Sequence, residues 1–209
     1  MELLAEADAF AGMGLSRRQA LWAVKGLVGE TKVETDAPLL AAMDRPEVQV
    51  ELPLMSLPMN VTEDYRTTRL SLKAHPCEFF RGELAQAGAV PAAALKHMRD
   101  RRWTSVGGIV LVRQRPGTAK GVVFMTLEDE TGIANIVIWK DAFEANRRLV
   151  MTATLLQVHG QLQIESDVVH LVAKSFTDLS HLTARLRDEG PAADSGRKAG
   201  GLIHSRDFH

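Results

Sequence analysis

Residues 121–132 have the sequence GVVFMTLEDETG. Apolar and polar side chains alternate along its first part, which predicts a β-strand at Gly121–Glu128. The next four residues predict a tight turn, in which Asp129 bonds backbone amides and Gly132 adopts a positive φ. A second alternating run, Ile133–Lys140, follows directly. The stretch therefore predicts a β-hairpin.

This hairpin lies inside a longer region whose hydrophobic pattern has a period of two. One further strand is predicted before the hairpin, at Val106–Arg113, and two after it, at Met151–Gly160 and Val168–Ser175. A short helical pattern separates the third strand from the fourth. Three strands, a helix and two more strands are typical of the OB-fold, a small Greek-key barrel.

The segments on either side of the barrel have different patterns. Residues 2–10 and 16–28 show helical spacing, with Ser16 as the N-cap and an end near Gly26–Gly29. We therefore predict an α+β protein with a helical N-terminal segment, a five-stranded OB-fold barrel and a disordered C-terminal tail. The predicted boundaries are 1–29 for the paired helices, 30–60 for an irregular connector, 61–103 for a helical lead-in capped by Thr62, 104–180 for the barrel and 181–209 for the flexible tail.

Composition excludes several classes of protein. The chain has 209 residues and a formal net charge of −1, so any attraction for nucleic acid must be local. Its single cysteine, Cys77, excludes an internal disulfide framework, and its histidines show no metal-binding spacing. No apolar run approaches the roughly 20 residues of a membrane span. We expect a cytoplasmic chain without membrane contact, cofactor or catalytic residues of its own.

Phe124 is the first candidate binding residue. Strand alternation places Val123, Met125 and Leu127 inside the barrel and turns Phe124 outward, where a nucleic-acid base could stack on it. The alternative is that another domain covers this side chain. Asn135 has the outward parity on the next strand and could bond a base edge or be an ordinary surface residue.

Trp139 shares the outward parity of Asn135, but the helix that follows favours burial of its indole ring in the core.

A local excess of positive charge lies next to the same face. Between Arg99 and Lys120 there are six basic residues and the single acid Asp100. The loop 114–120 joins the first two strands and in OB-folds borders the binding groove. The candidates for phosphate and base contacts here are Arg101, Arg102, Trp103, Arg113, Arg115 and Lys120. The alternative is a solvated basic edge of the barrel.

Gly12-Met13-Gly14 lies between the two N-terminal helices. The spacing resembles a helix-hairpin-helix, whose amides hold a DNA phosphate, and it would place Arg17 and Arg18 near a DNA backbone. A plain turn with a glycine cap explains the same residues.

Four segments together resemble one protein family. They are AFAGMGLSRRQALWAVKGL (9–27), DYRTTRLSLKAHPCEFFR (64–81), VLVRQRPGTAKGVVFMTLEDETGIANIVIW (110–139) and HSRDFH (204–209). All four resemble the C-terminal portion of the error-prone C-family bacterial DNA polymerases, relatives of the DNA polymerase III alpha subunit. The resemblance implies that residues 1–29 end a helix-hairpin-helix region and that the barrel is associated with the single-stranded template.

The resemblance also implies a cellular role in DNA repair. The family consists of nucleotidyltransferases for translesion synthesis in an SOS mutagenesis cassette, with Mg²⁺ in a catalytic domain that this chain lacks. The implied partners are single-stranded DNA, the sliding clamp and an inactive Y-family polymerase homologue. The chain is accordingly expected to be inactive alone, as a fragment, a truncated reading frame or one piece of a split polymerase.

Two alternative functions stay open. The barrel could be a protein-docking module for mutasome partners, with Phe124 as the anchor. It could also be the anticodon-binding barrel of an aminoacyl-tRNA synthetase, which shares the Phe-x-x-Leu-x-Asp strand. The HSRDFH tail and the RQRPGTAKG loop argue against the synthetase.

Overall fold

The structure, a computed structural model, describes residues 1–36, 51–166, 168–188 and 206–208. These residues form two units, Met1–Leu70 and Ser71–His209. The segment 61–103, expected as a single helical lead-in, is therefore divided between the two units. Among the described residues, none of the helices combines the length and the apolar character needed to cross a membrane.

The described residues of the first unit form three α-helices: α1 (Glu2–Glu6), α2 (Arg17–Asp36) and α3 (Leu57–Thr67). Ser16 caps α2 as expected, since its hydroxyl accepts from the Gln19 amide at 3.4 Å while the Gln19 side chain accepts from the Ser16 amide at 2.9 Å. The prediction that this helix ends near Gly26–Gly29 was wrong. A glycine costs a helix only about 1 kcal/mol, and the first proline is Pro38.

The start of α3 also differs from the prediction. Ser56 is its N-cap and accepts from the Met59 amide at 3.4 Å. Thr62, expected as the cap, lies inside the helix and donates its hydroxyl to the Pro58 carbonyl at 2.9 Å. Of the expected connector 30–60, residues 30–36 belong to α2 and residues 37–50 lie outside the described residues.

The second unit contains the barrel. Its strands are β1 (Ala89–Val90), β2 (Trp103–Gln114), β3 (Val123–Asp129), β4 (Gly132–Ile138), β5 (Leu155–Glu165), β6 (Val168–Asp178) and β7 (Arg206–Phe208). The order β2-β3-β4-β6-β5 closes on itself through pairing of β5 with β2. The five-stranded OB-fold is thus confirmed.

Strand β2 is shared between the two halves of the barrel. Its first part, Trp103–Ile109, pairs with β5, and its last part, Ile109–Gln114, pairs with β3. The short parallel strands β1 and β7 pair with β2 at Ser105–Val106 and at Val112–Gln114. Each end of β2 therefore has a neighbour on both edges.

The barrel interior is filled by the inward residues of every long strand. Two short helices, α5 (Lys140–Ala145) and α6 (Arg147–Thr152), add Phe143 and Val150 to the same core. The inward parity predicted for β3 is confirmed, because Val123, Met125 and Leu127 are all buried.

A second apolar cluster lies on the outside of the barrel. It joins the 3₁₀ helix Pro76–Phe80 and α4 (Arg81–Gln86) to Ile109, Leu155 and helix α7 (Ser180–Asp188). Because Leu182 and Leu186 of α7 are buried in this cluster, the predicted flexible tail does not begin at residue 181. Residues 189–205 and 209, also part of that predicted tail, lie outside the described residues.

Two glycines allow backbone to approach backbone at the sharp bends of the sheet. A Cβ added at Gly160 would lie 2.1 Å from the Val172 carbonyl oxygen. A Cβ added at Gly108 would lie 2.6 Å from the Glu128 carbonyl oxygen. Real Cβ atoms do not come this close, so both positions require glycine.

Candidate nucleic-acid interface

The outer face of β3 and β4 carries the outward side chains that alternation predicts. Phe124 is 38% exposed and lies opposite Val137, while Thr126 lies opposite Asn135. On its other side, Asn135 pairs with His170 of β6. The face therefore presents an aromatic ring next to a row of groups that can form hydrogen bonds.

Trp139 adds a second aromatic ring at the same end of the sheet. The expectation that its indole joins the core was wrong, because Trp139 is 56% exposed. The chain turns into α5 at this point, and the Trp139 carbonyl accepts from the Phe143 amide at 2.9 Å. Phe143, which is 2% exposed, fills the core position instead. Since Ile138 pairs with Val123, Trp139 and Phe124 both lie where the sheet meets the loop 114–122.

Two exposed arginines surround the buried ring of Phe143. The Arg115 guanidinium lies 5.1 Å from the ring centroid and that of Arg147 lies 5.8 Å away. Both are near the same carboxylate, because Glu144 is 3.8 Å from Arg115 and 3.7 Å from Arg147. One acid thus stands against two cations, which leaves an excess of positive charge.

Two lysines continue this basic group. A Cβ placed at Gly121 would be 3.3 Å from Lys140 and 3.6 Å from the Arg115 guanidinium, so loop and helix place these two cations around the same glycine. Lys120 precedes it, exposed and with φ of 49°. We call Arg115, Lys120, Lys140 and Arg147 the basic rim. Lys140 was not among the binding residues predicted from the sequence, although its position next to Trp139 follows from the predicted strand.

Arg113 does not belong to this rim. It is 7% exposed, its Nε donates to the Val150 carbonyl at 2.6 Å, and its terminal nitrogen donates to the Ala153 carbonyl. The expectation of a phosphate contact here is corrected for a specific reason. A register shift at Val110–Val112 reverses the parity of β2, so Arg113 pairs with the inward residue Met125. Its guanidinium caps the end of α6.

Arg17 is likewise buried and not presented to DNA. Its guanidinium contacts the Asp64 carboxylate and donates to the Asn60 carbonyl at 3.3 Å. It therefore ties α2 to α3. Arg18 donates to the Pro53 carbonyl at 2.8 Å, and its DNA contact stays a prediction, as does the helix-hairpin-helix assignment.

Arg101, Arg102 and Trp103 form a group apart from the basic rim. They lie at the first end of β2, beside β5, since Trp103 pairs with Gln161. The loop 114–122 follows the other end of this twelve-residue strand. The structure thus divides the residues that the sequence analysis had joined into two separate groups.

Asp129 has a structural role, as predicted for the turn. One carboxylate oxygen accepts from the Thr131 amide at 2.8 Å and the Gly132 amide at 3.1 Å, and the other accepts from the Ala92 amide at 2.8 Å and from Arg81 at 2.7 Å. Burial acts to raise the pKa of Asp129, but the hydrogen bond from the Thr131 hydroxyl at 2.6 Å, together with the bonds above, outweighs it and lowers the pKa below its ordinary value.

Acidic side chains at the end of β5 are described only in part. Glu165 is exposed there, and Asp167 lies outside the described residues. Within the part of the chain that the structure describes, no group of three or more His, Cys, Asp or Glu side chains could hold a metal ion.

Comparison with known proteins agrees with the barrel geometry. Residues 104–179 match the tRNA anticodon-binding family, described as an OB-fold nucleic acid binding domain. Among solved structures, asparaginyl-tRNA synthetase from Pyrococcus horikoshii has a TM-score of 0.38 and 17% identity, over 44% of this chain and 23% of that one. A likeness of this size carries no argument about function.

Two relatives match far more of the chain. An error-prone DNA polymerase of Caulobacter vibrioides is 59% identical over 100% of this chain and 20% of its own length. Error-prone DNA polymerase 1 of Rhizobium meliloti is 44% identical over 97% of this chain and 18% of its own length. The chain spans about a fifth of these relatives. Because they match the helical unit as well as the barrel, the synthetase alternative is excluded. The chain is therefore homologous to the C-terminal portion of bacterial proteins named error-prone DNA polymerase.

Proposed function

We propose that the barrel holds single-stranded template DNA for an error-prone polymerase that copies damaged DNA. The observation that carries this proposal is the pair of exposed rings, Phe124 and Trp139, next to the basic rim. Nucleotidyl transfer and its Mg²⁺ would belong to the four fifths of the relatives that this chain does not span.

The two kinds of contact have different physical origins. Bases stack on Phe124 and Trp139, and each stacked base contributes roughly 1–3 kcal/mol with little dependence on sequence. The basic rim contacts phosphates and releases counterions, so its contribution falls as salt rises. Asn135 lies in the middle of the face, where its amide bonds a base edge. Because Glu144 offsets part of the rim charge, the affinity is modest.

The test is the binding of a labelled oligo(dT) to the purified chain at several salt concentrations. Phe124→Ala and Trp139→Ala each weaken binding by about 1–3 kcal/mol and leave the salt slope nearly unchanged. Arg115→Ala lowers the salt slope by roughly 0.7, as expected for one lost phosphate contact on a single strand. Trp22→Ala is the matched control, because Trp22 is exposed to the same degree, 58% against 56% for Trp139, and belongs to the helical unit.

If Phe124→Ala, Trp139→Ala and Arg115→Ala all bind the oligonucleotide as the parent chain does, this face is not a DNA site. The docking alternative then applies, in which Phe124 and Trp139 anchor a protein. The partners to test in that case are the sliding clamp and the inactive Y-family polymerase homologue. A pull-down with the same three variants would show whether the rings carry that contact.

A further inference from the structure

A second exposed aromatic platform lies on a different wall of the barrel. Trp103, at the start of β2, is 52% exposed and stacks on His159 of β5, with ring centroids 5.5 Å apart and planes 23° from parallel. His159 covers one face of the indole. The exposed part of the ring is accessible to a flat partner. The helices that cover this wall begin further along β2, where Leu84 lies over Gly107.

The platform is held in place before any ligand arrives. The Ser105 hydroxyl and His159 Nδ1 lie within hydrogen-bond distance, at 2.9 Å, which orients the imidazole. Just before Trp103, the Arg101 amide donates to the Leu162 carbonyl and the Leu162 amide donates to the Arg102 carbonyl, both at 2.9 Å. A platform whose backbone and rings are already ordered loses little conformational entropy on binding.

The charge around the platform suits a polyanion. The preceding segment, KHMRDRRW at 96–103, contains four basic residues and the single acid Asp100. Asp100 is already engaged, because it accepts from the Ile164 amide at 3.0 Å and lies 3.7 Å from Arg101. The Arg101 side chain is 87% exposed. Glu165, next to Ile164 at the end of β5, is exposed and is a single acid beside these four basic residues.

We propose that Trp103 and His159 form a second contact site for single-stranded nucleic acid, in which a base stacks on Trp103 and Arg101 and Arg102 bind the flanking phosphates. This site deepens the proposed function, since it extends the path of the strand from the Phe124 face to the other end of β2. An indole offers base stacking without sequence preference, and the neighbouring guanidinium groups attract phosphates.

The first experiment uses tryptophan fluorescence as a direct reporter. In a chain with Trp22→Phe and Trp139→Phe, Trp103 is the remaining tryptophan, and oligo(dT) quenches its emission through base stacking. A chain that retains only Trp22 is the control, and its emission stays constant. Unchanged Trp103 emission at saturating oligonucleotide would overturn the proposal.

The second experiment tests whether the contact at position 103 requires an aromatic ring or only an apolar side chain. Trp103→Leu weakens oligo(dT) binding by about 5- to 150-fold, as expected for one lost stack, while Trp103→Phe retains most of the affinity. Arg102→Ala, at an exposed position, lowers the salt slope by roughly 0.7 and keeps the test valid even if Trp103→Leu does not fold.

Equal affinities of Trp103→Leu and Trp103→Phe would overturn the stacking contact and leave the Phe124 face untouched. Conversely, a loss in Trp103→Leu together with none in Phe124→Ala would support this site and reject the first one. The Phe124 face and the Trp103 platform can therefore be refuted independently of each other.

Discussion

Arg113 and Arg115 are two residues apart, yet the structure gives them opposite roles. Arg113 is buried and donates to the carbonyls of Val150 and Ala153, whereas the Arg115 side chain is 45% exposed on the basic rim. We expect Arg113→Ala to destabilise the barrel and Arg115→Ala to leave its stability nearly unchanged.

The magnitude follows from the contacts of the Arg113 guanidinium. A hydrogen bond from a charged group contributes about 1.5–3 kcal/mol, and a buried polar group left without its partner costs about 1–3 kcal/mol. Arg113→Ala also leaves two carbonyl oxygens at the end of α6 without this donor. We expect a loss of about 3 kcal/mol, which lowers the urea midpoint by roughly 1–3 M. Arg115→Ala, at the surface, changes stability by less than about 0.5 kcal/mol.

The assay is equilibrium unfolding in urea, in a Trp22→Phe background so that Trp103 and Trp139 report on the barrel alone. Oligonucleotide binding is then measured for both variants at a temperature where both are folded. If Arg113→Ala unfolds at the parent midpoint and instead loses salt-dependent DNA affinity, the buried role is wrong and the phosphate contact inferred from sequence is right.

Further predictions concern the barrel itself. Asp129→Asn lowers the urea midpoint at neutral pH, because the folded-state pKa of Asp129 lies below the ordinary 3.8 and its carboxylate stabilises the fold. This stabilisation is complete above pH 3.8 and disappears as pH falls through the folded-state pKa, so the urea midpoints of parent and variant converge in acid. Gly160→Ala costs more than about 2 kcal/mol, whereas Gly82→Ala, whose added Cβ meets nothing within 4 Å, stabilises α4 by about 0.5–1 kcal/mol; thermal melts compare them. Burial raises the pKa of Cys77 to about 12, so a thiol reagent should label it only after urea unfolds the barrel, and rapid labelling of the native chain would contradict this.

The parts of the fold that follow a simple period were predictable from the sequence. The alternation in β3 placed Phe124 outward and Met125 inward, and the spacing of strands and helix indicated the barrel. These patterns depend only on neighbouring residues along one strand. For the same reason, the turn around Asp129 was predicted from its own four residues.

The incorrect predictions concern residues whose positions depend on contacts with residues far away in the sequence. The register shift at Val110–Val112 depends on how β2 pairs with β3, and it turns Arg113 inward, although its place beside the basic loop had suggested a phosphate contact. Trp139 was predicted to lie in the core, but Phe143, four residues later, occupies that position and Trp139 is exposed. Arg17 became buried through Asp64, which is far away in sequence. Helix α7 is held by apolar contacts with the barrel wall, which a local pattern does not reveal.

The pairing of β7 with β2 joins two segments that the ribosome synthesises far apart in time. A ribosome synthesises Val112–Gln114 more than ninety residues before Arg206–Phe208, their parallel partner. Until that partner emerges, this edge of the barrel has free amides and carbonyls, which form a template for strands of other chains. A chain that stops just before residue 206 therefore keeps this edge exposed and is more prone to aggregate than a chain that contains Arg206–Phe208.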